Sequence, residues 1–245
     1  VEKLIATHGA EFGIPDDFGW YGPVPGVPDI YLRADFHVLN VDCASADGLT
    51  YVEMEGRRKA YALAALINKY TDRDVSIAAL SSLAGIRESN HYRTRHQVRG
   101  DDLLRGKKYE DAILNGTYRI DMHDLNGAVT FKYLNGYAVR MEGAQRYSVE
   151  WNWREKEGVS GEPAKYYQVP LDTLIQEQYS NFIAAGRMVN ADPQAFGALR
   201  VMVNLNQLGE AAGVAAFMSI HQGKCVQELS GTDVRRTLCQ GGSAL

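Results

Sequence analysis

The sequence has few cysteines, no long apolar run and no excess of basic residues. Its three cysteines, Cys43, Cys225 and Cys239, lie far apart and show none of the paired spacings of a zinc site or a disulfide framework. We therefore expect free thiols in a reducing, cytoplasmic compartment, and no bound metal. The longest apolar stretches, residues 60–67 and 214–220, are far shorter than the roughly 20 residues that a membrane span needs. The sequence thus predicts a protein that does not cross a membrane.

The charge pattern offers no surface for a polyanion. The formal net charge is −4, and Lys and Arg are scattered among Asp and Glu. We therefore expect no nucleic-acid partner. A chain of 245 residues with 45% apolar residues is long enough for one large core or two smaller ones. Residues 1–4 include no initiator Met and no signal-type segment, so we expect the chain to be part of a longer protein.

Hydrophobic periodicity predicts a chain that mixes helices and strands. Residues 12–28 hold four of the seven prolines, which predicts a loop or a lid. Helices are predicted over residues 51–70, 108–115, 199–219 and 232–240. Strands are predicted over residues 30–41, 75–83, 118–122, 147–153, 166–169 and 181–185. The pair Asn135-Gly136 within residues 128–141 predicts a hairpin, so we expect a small antiparallel sheet around it.

The most informative block is residues 182–216. A short apolar strand ends at Ala185-Gly186-Arg187, where the missing side chain lets a phosphate or ribityl group approach the backbone. A loop then leads into a helix that is expected to hold residues 197–199 in its first turn, and the N–H groups and dipole of a helix start favour negative charge. Gly209 and Gly213 share one face of this helix. Close packing alone would also explain these two glycines.

The block is similar to the closing FAD segment of the FAD-dependent oxidoreductases that are related to glutathione reductase and fumarate reductase. In the bacterial family with an inserted substrate domain, the pattern is a strand ending in Ala-Gly-Arg, then Gly-x-x-Arg-Val-Met, then Gly-x-Ala-Ala-Gly-x-Ala-Ala. Here the corresponding residues are 185–187, 197–202 and 209–216. Further stretches that resemble the family in order are residues 55–58, 85–89, 118–124 and 167–170. This sequence departs from the family at Asn90-His91 and at residues 203–206, which bears on the substrate more than on the fold.

The resemblance implies an α/β plus α+β fold, with the C-terminal part of a Rossmann-type FAD-binding domain and an antiparallel-sheet substrate domain. We expect a connector over residues 1–29, the substrate domain over 30–165 and the FAD-binding part over 166–245. The implied activity is hydride transfer from a small polar substrate to flavin N5. The implied cofactor-binding residues are Gly186, Arg187, Gly197, Leu199, Arg200, Val201, Gly209 and Gly213.

The family's opening motif is missing from these 245 residues. That motif is a strand, a Gly-x-Gly-x-x-Gly turn and a helix, which together bind the ADP half of FAD. The nearest glycine groups, around Gly22 and Gly26 and at Gly241-Gly242, lie in the Pro-rich segment and at the tail. We therefore expect an N-terminal FAD-binding segment or subunit to be the partner that completes the cofactor site.

Three residues are candidates for catalysis. His123 is the first candidate for a general base, because imidazole titrates near neutral pH and Asp121 and Asp124 flank it. Arg87, within the family's Arg-Glu-Ser motif, is a candidate for binding a substrate carboxylate, a sugar hydroxyl or a flavin carbonyl. His91 is a second candidate for acid–base chemistry. Structural hydrogen bonds and ion pairs remain the alternative explanation for each of the three.

Two other functions remain open on the sequence. In the first alternative, the chain is a non-catalytic partner subunit that completes a flavin site on another polypeptide. In the second alternative, the chain is a module that binds a sugar or another small ligand through aromatic residues of the predicted sheet. Aromatic residues of this kind more often form the packed side of a sheet. The aromatic residues concerned are Tyr133, Tyr137, Tyr147, Trp151 and Trp153.

Overall fold

The computed structural model of the chain describes residues 1–14, 19–34, 36–142 and 147–245. The chain divides into two compact units. The first unit comprises Val1–Ile86, His123–Val129 and Arg140–Val149. The second unit comprises Arg87–Met122, Thr130–Val139 and Glu150–Leu245.

The first unit is built around one long helix. Its elements are α1 (Glu2–His8), β1 (Trp20–Pro23), β2 (Tyr31–Ala34) and α2 (Ala46–Tyr70). Helix α2 confirms the helix predicted over residues 51–70 and begins earlier, because the Ser45 hydroxyl accepts a hydrogen bond from the Gly48 amide at 3.0 Å and caps it. Leu63, Leu66 and Ile67 of α2 pack with Ile5 and Ile14 to form this unit's core.

Strands β1 and β2 form an antiparallel pair in which Trp20 lies opposite Ala34. Strand β2 confirms a strand within residues 30–41, whereas β1 shows that the loop prediction for residues 12–28 is wrong at Trp20–Pro23. Proline was compatible with a strand here because Pro23 lies at its end. Residues 15–18 of the predicted loop and residue 35 of the predicted strand lie outside the described residues.

The strand predicted over residues 75–83 is wrong, since this segment has no regular secondary structure. Backbone groups in this part of the chain form hydrogen bonds with side chains of α2, and not with a neighbouring strand. The Asn68 carboxamide donates to the Val75 carbonyl at 2.9 Å and accepts from the Val75 amide at 2.7 Å. The Glu53 carboxylate accepts a hydrogen bond from the Ala84 amide. The segment is therefore fastened to a helix and not added to a sheet.

A four-stranded sheet confirms the small sheet predicted around Asn135-Gly136. Its strands, in spatial order, are β4 (Ile120–His123), β5 (Val129–Lys132), β6 (Tyr137–Glu142) and β7 (Tyr147–Asn152). The connections between successive strands are too short for a parallel crossover, so the sheet is antiparallel. Between β5 and β6 the Tyr133 amide donates to the Tyr137 carbonyl at 2.9 Å, and Gly136 has a φ of +101°, which favours glycine.

The second unit packs helices against a strand pair. Its other elements are α3 (Gly100–Leu104), β3 (Ala112–Gly116), α4 (Trp153–Lys156), β8 (Tyr167–Pro170), α5 (Pro193–Leu199), α6 (Met202–Gln222) and α7 (Gly231–Gln240). Strands β3 and β8 pair antiparallel, with Gly116 opposite Tyr167. The buried core includes Leu114, Trp153, Val169 and Leu208.

Strand β3 shows that the helix predicted over residues 108–115 is wrong. A short apolar run does not distinguish a strand from a buried helical turn, and here pairing with β8 decides the outcome. The strand predicted over residues 181–185 is also wrong, because only an isolated antiparallel bridge joins Ile183 to Ile175. Strand β8 and helix α7 confirm the elements predicted over residues 166–169 and 232–240.

The content of helix and antiparallel sheet confirms a mixed fold, and it is compatible with part of an α/β FAD-binding domain. Parallel pairing among the described residues is limited to an isolated bridge between Val98 and Ala191. The Rossmann-type part of the prediction is therefore not confirmed. Cys43 is half-buried, Cys225 and Cys239 are exposed, and all three thiols are free. A search of the described helices found none that is long and apolar enough to cross a membrane.

Candidate active site

The helix predicted over residues 199–219 is interrupted near its start. Helix α5 ends at Leu199, Val201 is extended with a ψ of 147°, and α6 begins at Met202. The Asp192 carboxylate caps α5 by accepting a hydrogen bond from the Ala195 amide at 2.8 Å. The amino end of α5 is therefore already satisfied by a side chain, and residues 197–199 lie near its other end. The expectation that these residues form the first turn of the long helix is wrong.

Gly197 allows α5 to lie against the backbone of β4. A Cβ atom at this position would be 2.5 Å from the Asp121 carbonyl oxygen and 3.0 Å from the Asp121 nitrogen. Backbone atoms cannot move aside as a flexible side chain can, so the site requires glycine. Leu199 is fully buried in the core of the second unit. Both residues thus have a packing role in the structure.

A polar cluster lies beside the junction between α5 and α6. Arg200 is 3.3 Å from the Asp121 carboxylate and donates to the Asp121 carbonyl oxygen at 3.2 Å. The Tyr118 hydroxyl donates to the same carboxylate at 3.2 Å. Both charged side chains are only 14% exposed, so water screens this ion pair weakly. Burial raises the pKa of Tyr118, and the negative charge of Asp121 raises it further.

Arg87 belongs to the same electrostatic environment. The residue as a whole is exposed, but partial desolvation of its guanidinium lowers the pKa of Arg87. The positive charge of Arg200 lowers this pKa further, whereas Asp121 and Tyr118 raise it. Arg87 therefore lies within the electrostatic influence of Arg200, Asp121 and Tyr118.

The start of α6 has no side-chain cap. The amides of Asn204 and Leu205 donate to the Val201 carbonyl at 3.1 and 3.0 Å, whereas the amides of Met202 and Val203 have no acceptor among the described residues. The Met202 and Val203 side chains are 80% and 64% exposed. Helix α6, which has 21 residues, therefore begins with two N–H donors that have no acceptor among the described residues, next to the exposed side chains of Met202 and Val203.

Two buried polar residues hold this helix start in place. The Asn204 carboxamide donates to the Ala198 carbonyl at 2.8 Å and to the Tyr167 hydroxyl at 2.9 Å. The Tyr167 hydroxyl in turn donates to the Tyr118 carbonyl at 3.2 Å. Sequence reasoning did not assign Tyr118, Tyr167 or Asn204 to the site. A detectable signal was the polar Asn204 within an apolar helix start.

The remaining predicted cofactor residues lie at the surface. Gly209 and Gly213 are exposed on α6, and a Cβ atom on either would meet nothing within 4 Å. Close packing within the described residues therefore does not explain them. Gly186 has a φ of +125°, a conformation that favours glycine. Arg187 is exposed and has no hydrogen bond or ion pair with any described residue.

His91 is held on both sides of its ring. Its Nδ1 lies 2.8 Å from the Val189 carbonyl oxygen and its Nε2 lies 2.9 Å from the Glu88 carboxylate. The ring also packs edge-on against Phe196, with centroids 4.9 Å apart. Since both nitrogens already have hydrogen-bond partners, neither is available to a substrate without a rearrangement.

His123 lies at the end of β4, in the first unit. Its ring lies 5.0 Å from that of His37, between centroids. The Asp124 carboxylate forms an ion pair with Arg140. Among the described residues, no group of three His, Cys, Asp or Glu side chains has an arrangement that could hold a metal ion.

The comparisons with known proteins identify the family. A model of the FAD dependent oxidoreductase family matches residues 20–238, so the chain belongs to this family. FAD is accordingly its cofactor, and the protein is a flavoprotein oxidoreductase. No curated protein and no solved structure matches the chain.

The described residues fit one edge of the cofactor. The isoalloxazine ring of FAD combines a flat apolar surface with carbonyl oxygens that accept hydrogen bonds. The start of α6 supplies two N–H donors without an acceptor among the described residues, and the apolar side chains of the same two residues, Met202 and Val203, are exposed. The open surface at Gly209 and Gly213 leaves room for a group or a segment along the helix.

Proposed function

We propose that the protein oxidises a small polar substrate and that residues 166–245 form the C-terminal part of its Rossmann-type FAD-binding domain, next to a substrate domain over residues 30–165. The observation that carries this proposal is the uncapped start of α6, where the amides of the exposed residues Met202 and Val203 have no acceptor among the described residues. Bound FAD would supply a two-electron acceptor, so that a hydride leaving the substrate goes to flavin N5.

The second unit would bind FAD through its backbone at two places. We assign to Val201 the turn that aims the α6 amides at a carbonyl of the flavin, and to Gly186 the close approach of backbone to the ribityl or phosphate part. Arg187 would pair with a phosphate. Gly197, Leu199 and Arg200 would hold the helix start in position, and Gly209 and Gly213 would keep the adjacent surface open.

Three residues, Arg87, His123 and His91, are proposed to act in the reaction. Arg87, whose guanidinium is partly desolvated, would hold an electron-rich group of the substrate or a flavin carbonyl. His123 would accept the O–H or N–H proton of the substrate as the hydride leaves. His91 would orient its neighbours, because both of its nitrogens are engaged.

The ADP half of FAD would be bound by an N-terminal segment or subunit with a Gly-x-Gly-x-x-Gly turn, a motif missing from the 245 residues. The alternative function, a non-catalytic subunit that completes a flavin site, predicts the same partner. Intact mass distinguishes them: a yellow single chain heavier than 27.1 kDa supports one longer enzyme, whereas a separate chain with that turn supports the subunit.

The proposed base is tested by anaerobic reduction of the FAD-loaded protein. His123→Gln should slow the loss of flavin absorbance by about 10²–10⁴-fold with a panel of small alcohols and amines, while the bound FAD stays constant. His221→Gln, which changes an exposed histidine in the last turn of α6, serves as the control and should match the parent. An unchanged rate in His123→Gln would exclude His123 as the base.

A further inference from the structure

A shallow depression lies on the surface of the second unit, beside the turn between β5 and β6. Its volume is about 410 Å³, and it is open to solvent. The residues that line it are Asn135, Tyr137, Glu150, Trp151 and Asn152. None of them belongs to the residues assigned above to the flavin or to catalysis.

Core packing does not fully bury Tyr137 and Trp151, the two aromatic residues of this depression. Trp153, two residues further along the chain, is 1% exposed, and its indole N–H donates to the Tyr133 carbonyl. Trp151 is only half-buried: it packs partly against the core, lies with its ring centroid 6.0 Å from the Lys156 ammonium, and also lines the depression. Tyr137 is 40% exposed, and its ring is 5.5 Å from that of Tyr133. Neighbouring side chains therefore hold Trp151 and Tyr137 in place, and part of each ring remains accessible to a ligand.

The polar residues offer both donors and an acceptor in fixed positions. The Asn135 oxygen accepts a hydrogen bond from the Tyr137 amide at 3.0 Å, and the Asn152 oxygen accepts from the Arg154 amide at 3.0 Å. Both carboxamide oxygens are thus anchored to backbone, and the Asn135 nitrogen has no acceptor among the described residues. The exposed Glu150 carboxylate forms a hydrogen bond with the Tyr137 hydroxyl and keeps further acceptor capacity for a ligand.

We propose that this depression is a saccharide-binding site. A pyranose ring has a flat face of C–H groups, which suits the aromatic surfaces of Tyr137 and Trp151. Its vicinal hydroxyls both donate and accept, which suits the Glu150 carboxylate together with the Asn135 carboxamide N–H groups, whereas the Asn152 nitrogen already donates to the Glu155 carboxylate at 2.9 Å. An open, shallow shape suits a chain of sugar units better than an enclosed small molecule.

The site is tested by isothermal titration of the FAD-loaded, full-length protein with neutral hexasaccharides of glucose, xylose, mannose and N-acetylglucosamine. We expect at least one of them to bind. Tyr137→Ala should weaken its binding roughly five- to tenfold through loss of the stacking surface. Glu150→Gln, which conserves shape, should weaken it about threefold or more through loss of a charged acceptor.

Tyr179→Ala is the matched control, because Tyr179 is an exposed tyrosine of the same unit outside the depression. It should bind the saccharide as the parent does. Thermal unfolding checks that each variant is folded, and if Tyr137→Ala does not fold, Glu150→Gln decides the question. The proposal is overturned if no hexasaccharide binds, or if the folded depression variants bind as tightly as the parent.

Discussion

Two glycines of the C-terminal segment have opposite surroundings. Gly197 lies where any Cβ atom would collide with the backbone of Asp121, whereas Gly209 faces open space on α6. The same residue type therefore serves packing at one position and leaves a surface unobstructed at the other. This contrast separates the structural explanation of the glycines from the cofactor explanation.

Alanine substitution at each glycine tests that contrast. Gly197→Ala should lower the free energy of unfolding by about 1–3 kcal/mol, because the added methyl group overpacks α5 against β4. Gly209→Ala should raise it by up to about 1 kcal/mol, because alanine favours the helix and meets no atom. Chemical denaturation of the protein without added FAD measures both values.

The proposed cofactor role adds a second expectation for Gly209→Ala. If FAD lies along α6, the variant should bind it about tenfold more weakly, the factor that corresponds to a loss of ~1.4 kcal/mol. Equilibrium titration with FAD gives that affinity. A variant that is both more stable and equal to the parent in FAD affinity would remove Gly209 from the proposed cofactor residues.

At the scale of elements, the segment after α2 depends on helix side chains for its order. Two hydrogen bonds from Asn68 hold Val75, and the Arg57 guanidinium donates to the carbonyls of Ser81 and Ser82 at 3.4 Å. A segment of this kind has few backbone partners of its own, so it should open independently of the rest of the unit.

Asn68→Ala should release this segment. The loss of two hydrogen bonds lowers the free energy of its local opening by about 1–3 kcal/mol. Hydrogen exchange should then accelerate at residues 75–84 while α2 stays protected. Tyr61→Ala, which removes an exposed side chain from the same helix, should leave exchange in the segment unchanged. Equal exchange in Asn68→Ala and the parent would show that other contacts hold the segment.

Elements with strong local signals were predictable from sequence. Helix α2 has a long apolar periodicity, and the Asn135-Gly136 pair predicts its hairpin directly. Strand β3 was not predictable, because its state depends on β8, which lies far along the chain. The break at Arg200 and Val201 also depends on distant groups, since the Asp121 carboxylate and carbonyl hold Arg200.

The site was predictable only in part for the same reason. The motif around residues 185–216 pointed to the segment that carries the start of α6. Asp192 satisfies the helix end that was expected to be free, and the free end belongs to the next helix. The roles of Tyr167 and Asn204 require contacts between β8, α5 and α6, which no spacing in the sequence encodes.

At the scale of the whole molecule, buried tyrosines make stability sensitive to alkali. Burial raises the pKa of Tyr167 to about 12 from the ordinary value of 10.0. A raised folded-state pKa means that the stabilisation is fully present below pH 10 and is lost as the pH rises towards 12. Burial also raises the pKa of Tyr118 and of Tyr109.

Tyr167→Phe should therefore be less stable than the parent at neutral pH, by about 1–2 kcal/mol. The variant lacks the hydroxyl that accepts a hydrogen bond from the Asn204 carboxamide and donates one to the Tyr118 carbonyl. Its stability should also fall less steeply between pH 10 and 12, since it lacks the group whose ionisation opposes folding. Urea denaturation of the parent and the variant, at neutral pH and between pH 10 and 12, measures the free energy of unfolding at each pH. Parallel curves for parent and variant would contradict the assignment.

The three free cysteines give the molecule built-in attachment points. Cys43 belongs to the first unit, whereas Cys225 and Cys239 belong to the second and have exposed thiols. Maleimide dyes should react first at the two exposed positions. With one of these two replaced by serine, the remaining exposed thiol and Cys43 would carry one dye on each unit. The unfolding of each unit can then be followed through its own dye, without any cysteine having to be introduced.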